Sequence, residues 1–241
     1  MERNTARGHE GRMPKDPDID GAANLGSGWP VEPVIARLAT TAGVQRVPSP
    51  KLDLFILRQF LNAEMCRGLI DMIDAHRRPS TISDDNGDIA FRTSETCDLD
   101  RADPLVTRLD AMLNGLIGLD PRHGEPVQGQ RYAVGQEFKA HTDYFEPAGI
   151  DFQRFCSESG NRTWTVMVYL NSPDAGGATR FKTIDKTIQP ETGKLLAWSN
   201  LRADGTPNPA TIHHGMKVRS GTKYIITKWF RERPWDWRDG S

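Results

Sequence analysis

The sequence predicts a mainly β fold with flanking helices, an antiparallel β-sandwich or barrel covered on one side by helices from the N-terminal half. Three observations carry that expectation. After residue 120, short segments of alternating or β-branched residues follow one another: PVQGQRYAV, QEFKAHTDY, TWTVMVYL, ATRFKTI, GKLLAWS and TKYIITKWF. Turn-forming runs separate them, among them EPAG, NSPDAGG, QPETG and RADGTPNP, and many short strands at this spacing mean a two-sheet or barrel architecture. Before residue 120 the apolar period lengthens to that of amphipathic helices, which can close one face of such a sheet.

Taken in order, residues 1–28 are polar, rich in Gly, Asp and Arg, and read as a disordered tail. Residues 29–51 read as a short helical or linker segment, with Val31, Val34, Ile35 and Leu38 spaced for one helix that starts near Pro30. One domain is expected over 52–241, with helical support over 52–120 and a barrel core over 121–235. Leu54, Phe55 and Ile56 make a short strand. The run NAEMCRGLIDMIDAH then places Met65, Leu69, Ile70, Met72 and Ile73 along a helix face, with Asn62 as N-cap. A second helix over 103–119 starts from Asp103, has Pro104 in its first turn and carries Leu105, Leu109, Met112, Leu113, Leu116 and Ile117. The polar stretch between the helices reads as a loop with a strand at 89–93. There is no internal repeat.

The 241 residues carry 31 Lys plus Arg against 32 Asp plus Glu, a formal net charge of −1. That balance argues against a nucleic-acid partner bound through broad phosphate neutralisation. The three cysteines, Cys66, Cys97 and Cys156, are far apart and odd in number, so free thiols and a cytoplasmic location are expected. The N-terminus holds no apolar secretory stretch, and no run approaches the roughly 18 apolar residues of a membrane helix, so no membrane partner is expected. Nothing marks an oligomeric state.

Three residues point to chemistry. His141 and Asp143 stand two apart in a segment read as strand, where residues i and i+2 share a face. A third ligand has to come from elsewhere, and His213 offers it. Two histidines and one carboxylate arranged facially leave adjacent metal positions open, which suits a non-heme iron(II) that must hold a chelating cosubstrate and dioxygen together. An HxD triplet is common by chance, and Lys223 adds the weight. A lysine turned into a barrel needs an anion, and 2-oxoglutarate supplies one if its keto-acid end chelates the iron. The competing reading, a solvated strand lysine, suits Lys228 better. Glu137, Asp151, Glu158, Asp185 and Glu191 read as solvated surface charges.

Six motifs in order then make residues 52–235 resemble the prolyl 4-hydroxylase group of 2-oxoglutarate oxygenases. They are RTSETCDL at 92–99, GEPVQGQRYAVGQEFKAHTDYF at 124–145, NRTWTVMVYLN at 161–171, GGATRF at 176–181, GKLLAW at 193–198 and ATIHHGMKVRSGTKYIITKWF at 210–230. The resemblance implies a double-stranded β-helix (jelly-roll) barrel and a dioxygenase that hydroxylates a C–H bond. Its cofactors would be Fe(2+), 2-oxoglutarate and O2, with ascorbate as a candidate reductant. Its substrate would be a proline-containing peptide or protein, with succinate and carbon dioxide released.

Carried over by position, His141, Asp143 and His213 ligate iron, and His214 does not. Lys223 binds the far carboxylate of 2-oxoglutarate, helped by Tyr132, with Thr179 and Tyr169 as further candidates. Glu125, Arg162, Trp229 and Arg92 fall where the family lines its substrate groove, and the flexible loop before and around 92–96 would be its lid. Among the tryptophans, Trp164, Trp198, Trp229, Trp235 and Trp237 could supply groove aromatics, with at least two of them expected in the core.

The chain departs from the family pattern at Met216-Lys217 in place of Cys-Pro, at Phe138 in place of Tyr, in the central Thr of HTD, and at GGAT in place of GGET. None of these touches a ligand position; they bear on the preference for proline. The alternative reading is a hydroxylase of a free amino acid or small metabolite. A nucleic-acid demethylase is disfavoured by charge and by Lys223 where arginine is usual. A non-catalytic ligand-binding barrel would lack a use for the whole ligand set, and a cupin-type site would need His9, His76 or His123 inside the barrel.

Overall fold

The computed structural model of the chain describes residues 31–80 and 91–235. The expected tail, the first part of the expected 89–93 strand and Trp237 lie outside the described residues. In chain order the elements are α1 (Val31–Thr40), β1 (Val44–Arg46), β2 (Leu54–Leu57), α2 (Ala63–His76), β3 (Arg78–Pro79), β4 (Glu95–Asp98) and α3 (Pro104–Ile117). β5 (Gln128–Tyr132), β6 (Phe138–His141), α4 (Ile150–Cys156), β7 (Arg162–Tyr169), β8 (Ala175–Gly176), β9 (Thr179–Phe181) and β10 (Lys186–Ile188) follow. The chain ends in β11 (Leu195–Ser199), β12 (His213–Gly215), β13 (Val218–Ser220) and β14 (Lys223–Arg231).

The strands form an antiparallel sheet of eight, in the order β1-β2-β11-β7-β14-β5-β4-β3, and one of four, β10-β9-β12-β6, with β13 and β8 as a small ribbon. β7 and β14 are the centre of the large sheet, in register from Ile225 opposite Tyr169 to Trp229 opposite Thr165. Their alternation decides the layers. Trp164, Val166 and Val168 of β7, with Tyr224, Ile226 and Phe230 of β14, face the helices and bury against Leu38, Leu69, Leu109 and Leu113. Met167, Tyr169 and Ile225 face the other way and pack with Phe181, Ile188 and Trp198 between the two sheets. The expected one-sided cover of helices is therefore present. The expected barrel is an open two-sheet sandwich among the described residues, because the ladder of the small sheet stops at β10 and β6 instead of continuing into the large one.

The helix ends follow from local chemistry. The Asn62 side chain accepts the Met65 N–H at 2.8 Å, and Asp103 accepts from Leu105 N–H at 2.7 Å; each cap satisfies a donor that has no intrahelical partner. α3 ends at Gly118, whose φ of 76° is left-handed. Gly129 on β5 lets α2 come down on the sheet, since a Cβ there would sit 2.4 Å from Ile73. α1 buries Val34 and Leu38, and its Arg37 donates to the carbonyls of Gly115 and Leu116 at the end of α3. Residues 31–46 are thus built into the same core as the rest.

Two expectations need correction. The strand placed at 89–93 is found at β4, two residues on, where Glu95 lies opposite Arg131 of β5 and pairs with it; at Arg92 there is only an isolated bridge to Phe138. Lys228 is no solvated edge lysine. Its even-numbered place on β14 turns it under the helices, where it is fully buried and paired with Asp110 of α3. No helix among the described residues is long and apolar enough to cross a membrane.

Candidate active site

His141 ends β6 and His213 begins β12, and these two strands pair so that the histidines stand opposite each other. Their ring centroids are 4.3 Å apart. Asp143 lies just past β6, in a bend, so it does not reach the site by strand alternation as expected. The bend brings it in all the same: its Oδ1 is 3.7 Å from His141 Nε2, and one ligand atom from each of the three residues falls within 4.8 Å of the others. The two imidazoles are held alike. Nδ1 of His141 donates to the Lys139 carbonyl at 2.7 Å, and Nδ1 of His213 to the Thr211 carbonyl at 2.9 Å. With Nδ1 so occupied, Nε2 is the nitrogen of each ring left to serve as a ligand.

Burial and the neighbouring His213 push the His141 pKa down to about 3, so this ring is neutral at ordinary pH. Burial pushes Asp143 upward, but the two histidines, Arg162 and the Thr165 hydroxyl outweigh it and hold the carboxyl below its usual value. Around the cluster stand apolar rings. Phe138 stacks on His141 at 3.5 Å between centroids, and Trp198 meets His213 edge-on at 5.0 Å.

The inner cavity beside the cluster, about 40 Å³, is walled by His141, Asp143 and His213 and also by Lys223, Tyr132, Thr179 and Thr227. Lys223 is 1 % exposed. Its Nζ lies 5.0 Å from the Tyr132 ring and 5.5 Å from that of Tyr169, and no acidic side chain among the described residues pairs with it. Burial alone lowers its pKa to about 7. Tyr132 donates its hydroxyl to Gln130 at 2.8 Å, and Tyr169 donates to Thr179 Oγ1 at 2.6 Å from behind the wall.

Arg92, Phe138 and Trp229 border both this cavity and a wider outer groove of about 860 Å³. Glu125 and Arg162 line the groove as a clamped pair, with contacts of 2.7 and 2.9 Å, and Arg231 reaches Glu125 from the other side at 2.6 Å. Burial raises the Glu125 pKa, but the two guanidiniums overcome it and keep the carboxyl ionised. Arg162 lies flat over Trp229, 3.8 Å from the ring centroid. The loop before residue 91, the first part of the expected lid, lies outside the described residues, while the segment 92–96 itself is tied down. Thr93 exchanges hydrogen bonds with Glu137, Arg92 donates to Ser94, Thr96 and Gln128, and β4 is laddered to β5.

Comparison with known proteins matches residues 127–231 to the 2OG-Fe(II) oxygenase superfamily. Rat prolyl 4-hydroxylase subunit alpha-1 is 33 % identical over 136 residues, which are 56 % of this chain and 25 % of that protein. Arabidopsis thaliana prolyl 4-hydroxylase 2 is 28 % identical over 214 residues, 78 % of this chain and 70 % of its own. Residues 127–231 of the chain are thus similar to 2OG-Fe(II) oxygenases, and the relatives it resembles are prolyl 4-hydroxylases. It spans about a quarter of the length of the rat relative. The solved viral collagen prolyl hydroxylase of Paramecium Bursaria Chlorella virus-1, in its 2OG complex, shares the fold with a TM-score of 0.57 at 24 % identity, covering 74 % of this chain and 95 % of that one. A Pseudomonas putida prolyl-4-hydroxylase shares it with a TM-score of 0.53 at 18 % identity, covering 83 % and 98 %.

The 2OG-Fe(II) oxygenase superfamily uses iron(II), 2-oxoglutarate and O2, and the residues of this site fit that set. The donor set is two imidazole nitrogens, each ring oriented by a backbone carbonyl on Nδ1, and an ionised carboxylate. Lys223, in the wall of the same cavity, is buried with no anionic partner among the described residues, and a dicarboxylate would provide one. Several residues of the site escaped sequence reasoning: Thr165, which donates to Asp143; Thr211 and Lys139, whose carbonyls orient the histidines; and Thr227 in the cavity wall. Thr165 and Thr227 carried a signal, since each is a polar residue at the inward parity of a long apolar strand. The backbone carbonyls carried none. Of the tryptophans, Trp198 and Trp229 line the cavity while Trp164 is in the helix-side core. Glu137, expected to be solvated, instead pairs with His214 at 2.9 Å and Lys217 at 3.5 Å, and Glu191 pairs with Arg58 and Lys194.

Proposed function

We propose that this chain is an iron(II)- and 2-oxoglutarate-dependent dioxygenase that hydroxylates a proline-containing peptide or protein and releases succinate and carbon dioxide. The observation that carries the reading is the His–Asp–His cluster sharing one cavity with a buried lysine that has no anionic partner among the described residues. Iron(II) held here with 2-oxoglutarate and O2 would supply the oxidising chemistry, one oxygen atom entering the succinate formed as the keto acid loses carbon dioxide and the other entering a substrate C–H bond.

The protein's own work is to hold and exclude. His141 and His213 present Nε2, and Asp143 presents the oxygen that Thr165 leaves free. Lys223, protonated, would hold the far carboxylate of the cosubstrate, with the Tyr132 ring beside it. Phe138 and Trp198 keep water from the metal side. Arg162, fixed by Glu125 and stacked on Trp229, orients the substrate backbone at the mouth, with Arg92 on the opposite side.

A peptide is favoured over a free amino acid by the outer groove. At about 860 Å³ and lined by Phe91, Tyr144, Phe145 and Trp229, it is far larger than a single amino acid requires. The deciding measurement is succinate formation from 2-oxoglutarate with added iron(II), in the presence of proline-containing peptides or of free amino acids. Peptide-stimulated turnover with one oxygen atom gained on proline supports the reading. Stimulation by free amino acids alone would move the substrate class, and absence of both turnover and metal binding would overturn the oxygenase assignment.

A further inference from the structure

Asp143 and His213 are supplied by segments far apart in the chain, yet the supports of both meet at one residue. Asn200 follows β11 directly and is fully buried. Its Nδ2 donates to Thr165 Oγ1 at 2.8 Å, and the Thr165 hydroxyl donates to Asp143 Oδ2 at 2.8 Å. A hydroxyl has one proton. With the amide donating to its oxygen, Thr165 keeps that proton on the carboxylate, and the two bonds polarise each other where Thr165 and Asn200 are both fully buried.

The second arm leaves from the Asn200 backbone. Its carbonyl accepts the Asn208 N–H at 2.9 Å. Asn208 caps the short turn before β12: its Oδ1 accepts from Ala210 N–H at 3.0 Å and its carbonyl from the Thr211 hydroxyl at 2.8 Å. The Thr211 carbonyl, in turn, accepts from His213 Nδ1 at 2.9 Å. Asn200 is itself tied to β7 through its N–H to the Thr163 carbonyl at 2.8 Å.

We propose that Asn200 is the positioning residue that locks Asp143 and His213 into one ligand geometry, through Thr165 on one arm and the Asn208–Thr211 turn on the other. The inference rests on the metal-centre reading above. A carboxylate without its hydrogen-bond partner turns about its own side-chain bonds and offers the metal a spread of positions. Loss of such an outer partner weakens metal affinity by about 10–100-fold in comparable sites.

The test uses the full chain with cobalt(II) as a redox-inert probe, measuring affinity by calorimetry and the visible ligand-field spectrum, beside the melting temperature of each metal-free protein. Asn200→Leu and Thr165→Val are expected to weaken cobalt binding by about 10–100-fold and to change the spectrum, whereas Thr165→Ser, which keeps the hydroxyl, stays close to wild type. Thr165→Val preserves shape in the middle of β7 and carries the test if Asn200→Leu does not fold. Wild-type affinity and spectrum in Thr165→Val, or in a folded Asn200→Leu whose only change is a lower melting temperature, would overturn the proposal and leave a purely structural role. A wild-type chain that takes up no cobalt would instead overturn the metal-centre reading on which the proposal stands.

Discussion

At the scale of single residues, Lys223 is the group whose state depends most on what is bound. An unfolded chain holds a lysine proton up to about pH 10.4, whereas the buried Lys223 loses it at about 7. Between those values the unfolded state binds more protons, so this group makes the free protein more stable as pH rises, and its burial penalty is full below 7. A carboxylate docked on the ammonium restores the charged form. Binding of 2-oxoglutarate above pH 7 is therefore expected to take up a proton, and affinity to fall about tenfold per pH unit until the lysine of the complex itself titrates. Calorimetry in buffers of differing ionisation enthalpy reads the proton count directly; binding without uptake at pH 8 would put the far carboxylate elsewhere. The neighbouring histidines provide a second contrast. His213 turns into the cavity while His214, one residue on, pairs with Glu137 outside it. His213→Ala is expected to abolish metal binding and turnover in a folded protein, and His214→Ala to keep both.

At the scale of elements, β14 shows how one strand serves two layers. Lys223, Ile225, Thr227 and Trp229 line the cavity, while Tyr224, Ile226 and Phe230 lie in the helix-side core. Lys228 shares that second parity, and its charge is tolerated because Asp110 of α3 meets it and the Glu125 carbonyl accepts from it at 3.2 Å. The pair ties α3 to the strand that carries Lys223. Removing one partner leaves a desolvated charge behind, so Lys228→Met is expected to cost about 2–3 kcal/mol, held below the range for fully buried pairs by the partial exposure of Asp110. The double variant Lys228→Met with Asp110→Leu should recover most of it. Urea unfolding of the three proteins measures this, and a double variant no more stable than the single one would show that the pair is not the source of the loss.

At the scale of the whole molecule, the site is a junction of sheets. The small sheet brings the two histidines, the bend after β6 brings Asp143, and the large sheet brings Lys223 and the wall opposite. A metal that bridges such separate segments binds the native state alone. At a hundred times its dissociation constant it should add about 2.7 kcal/mol and raise the melting temperature by roughly 5–10 °C. A thermal scan with and without metal and chelator checks this; the rise should vanish in His141→Ala. What was legible beforehand follows from period and local chemistry. Strand and helix faces, the caps at Asn62 and Asp103, and the candidate ligands are all carried by residue type and spacing within a few positions. Lys223, read as a lysine turned into the barrel, does line the cavity, but strand alternation failed for Asp143, which arrives through a bend that no local periodicity encodes. It was not applied to Lys228, whose partner on α3 lies more than a hundred residues earlier. The sequence by itself determined which elements form and which side chains could bind a metal, because those depend on neighbours one to four residues away. The tertiary structure alone decided that β6 pairs with β12, that Asn200 reaches the supports of two ligands, and that the loop at 92–96 is laddered down. Those outcomes rest on hydrogen bonds between segments whose encounter no local pattern specifies.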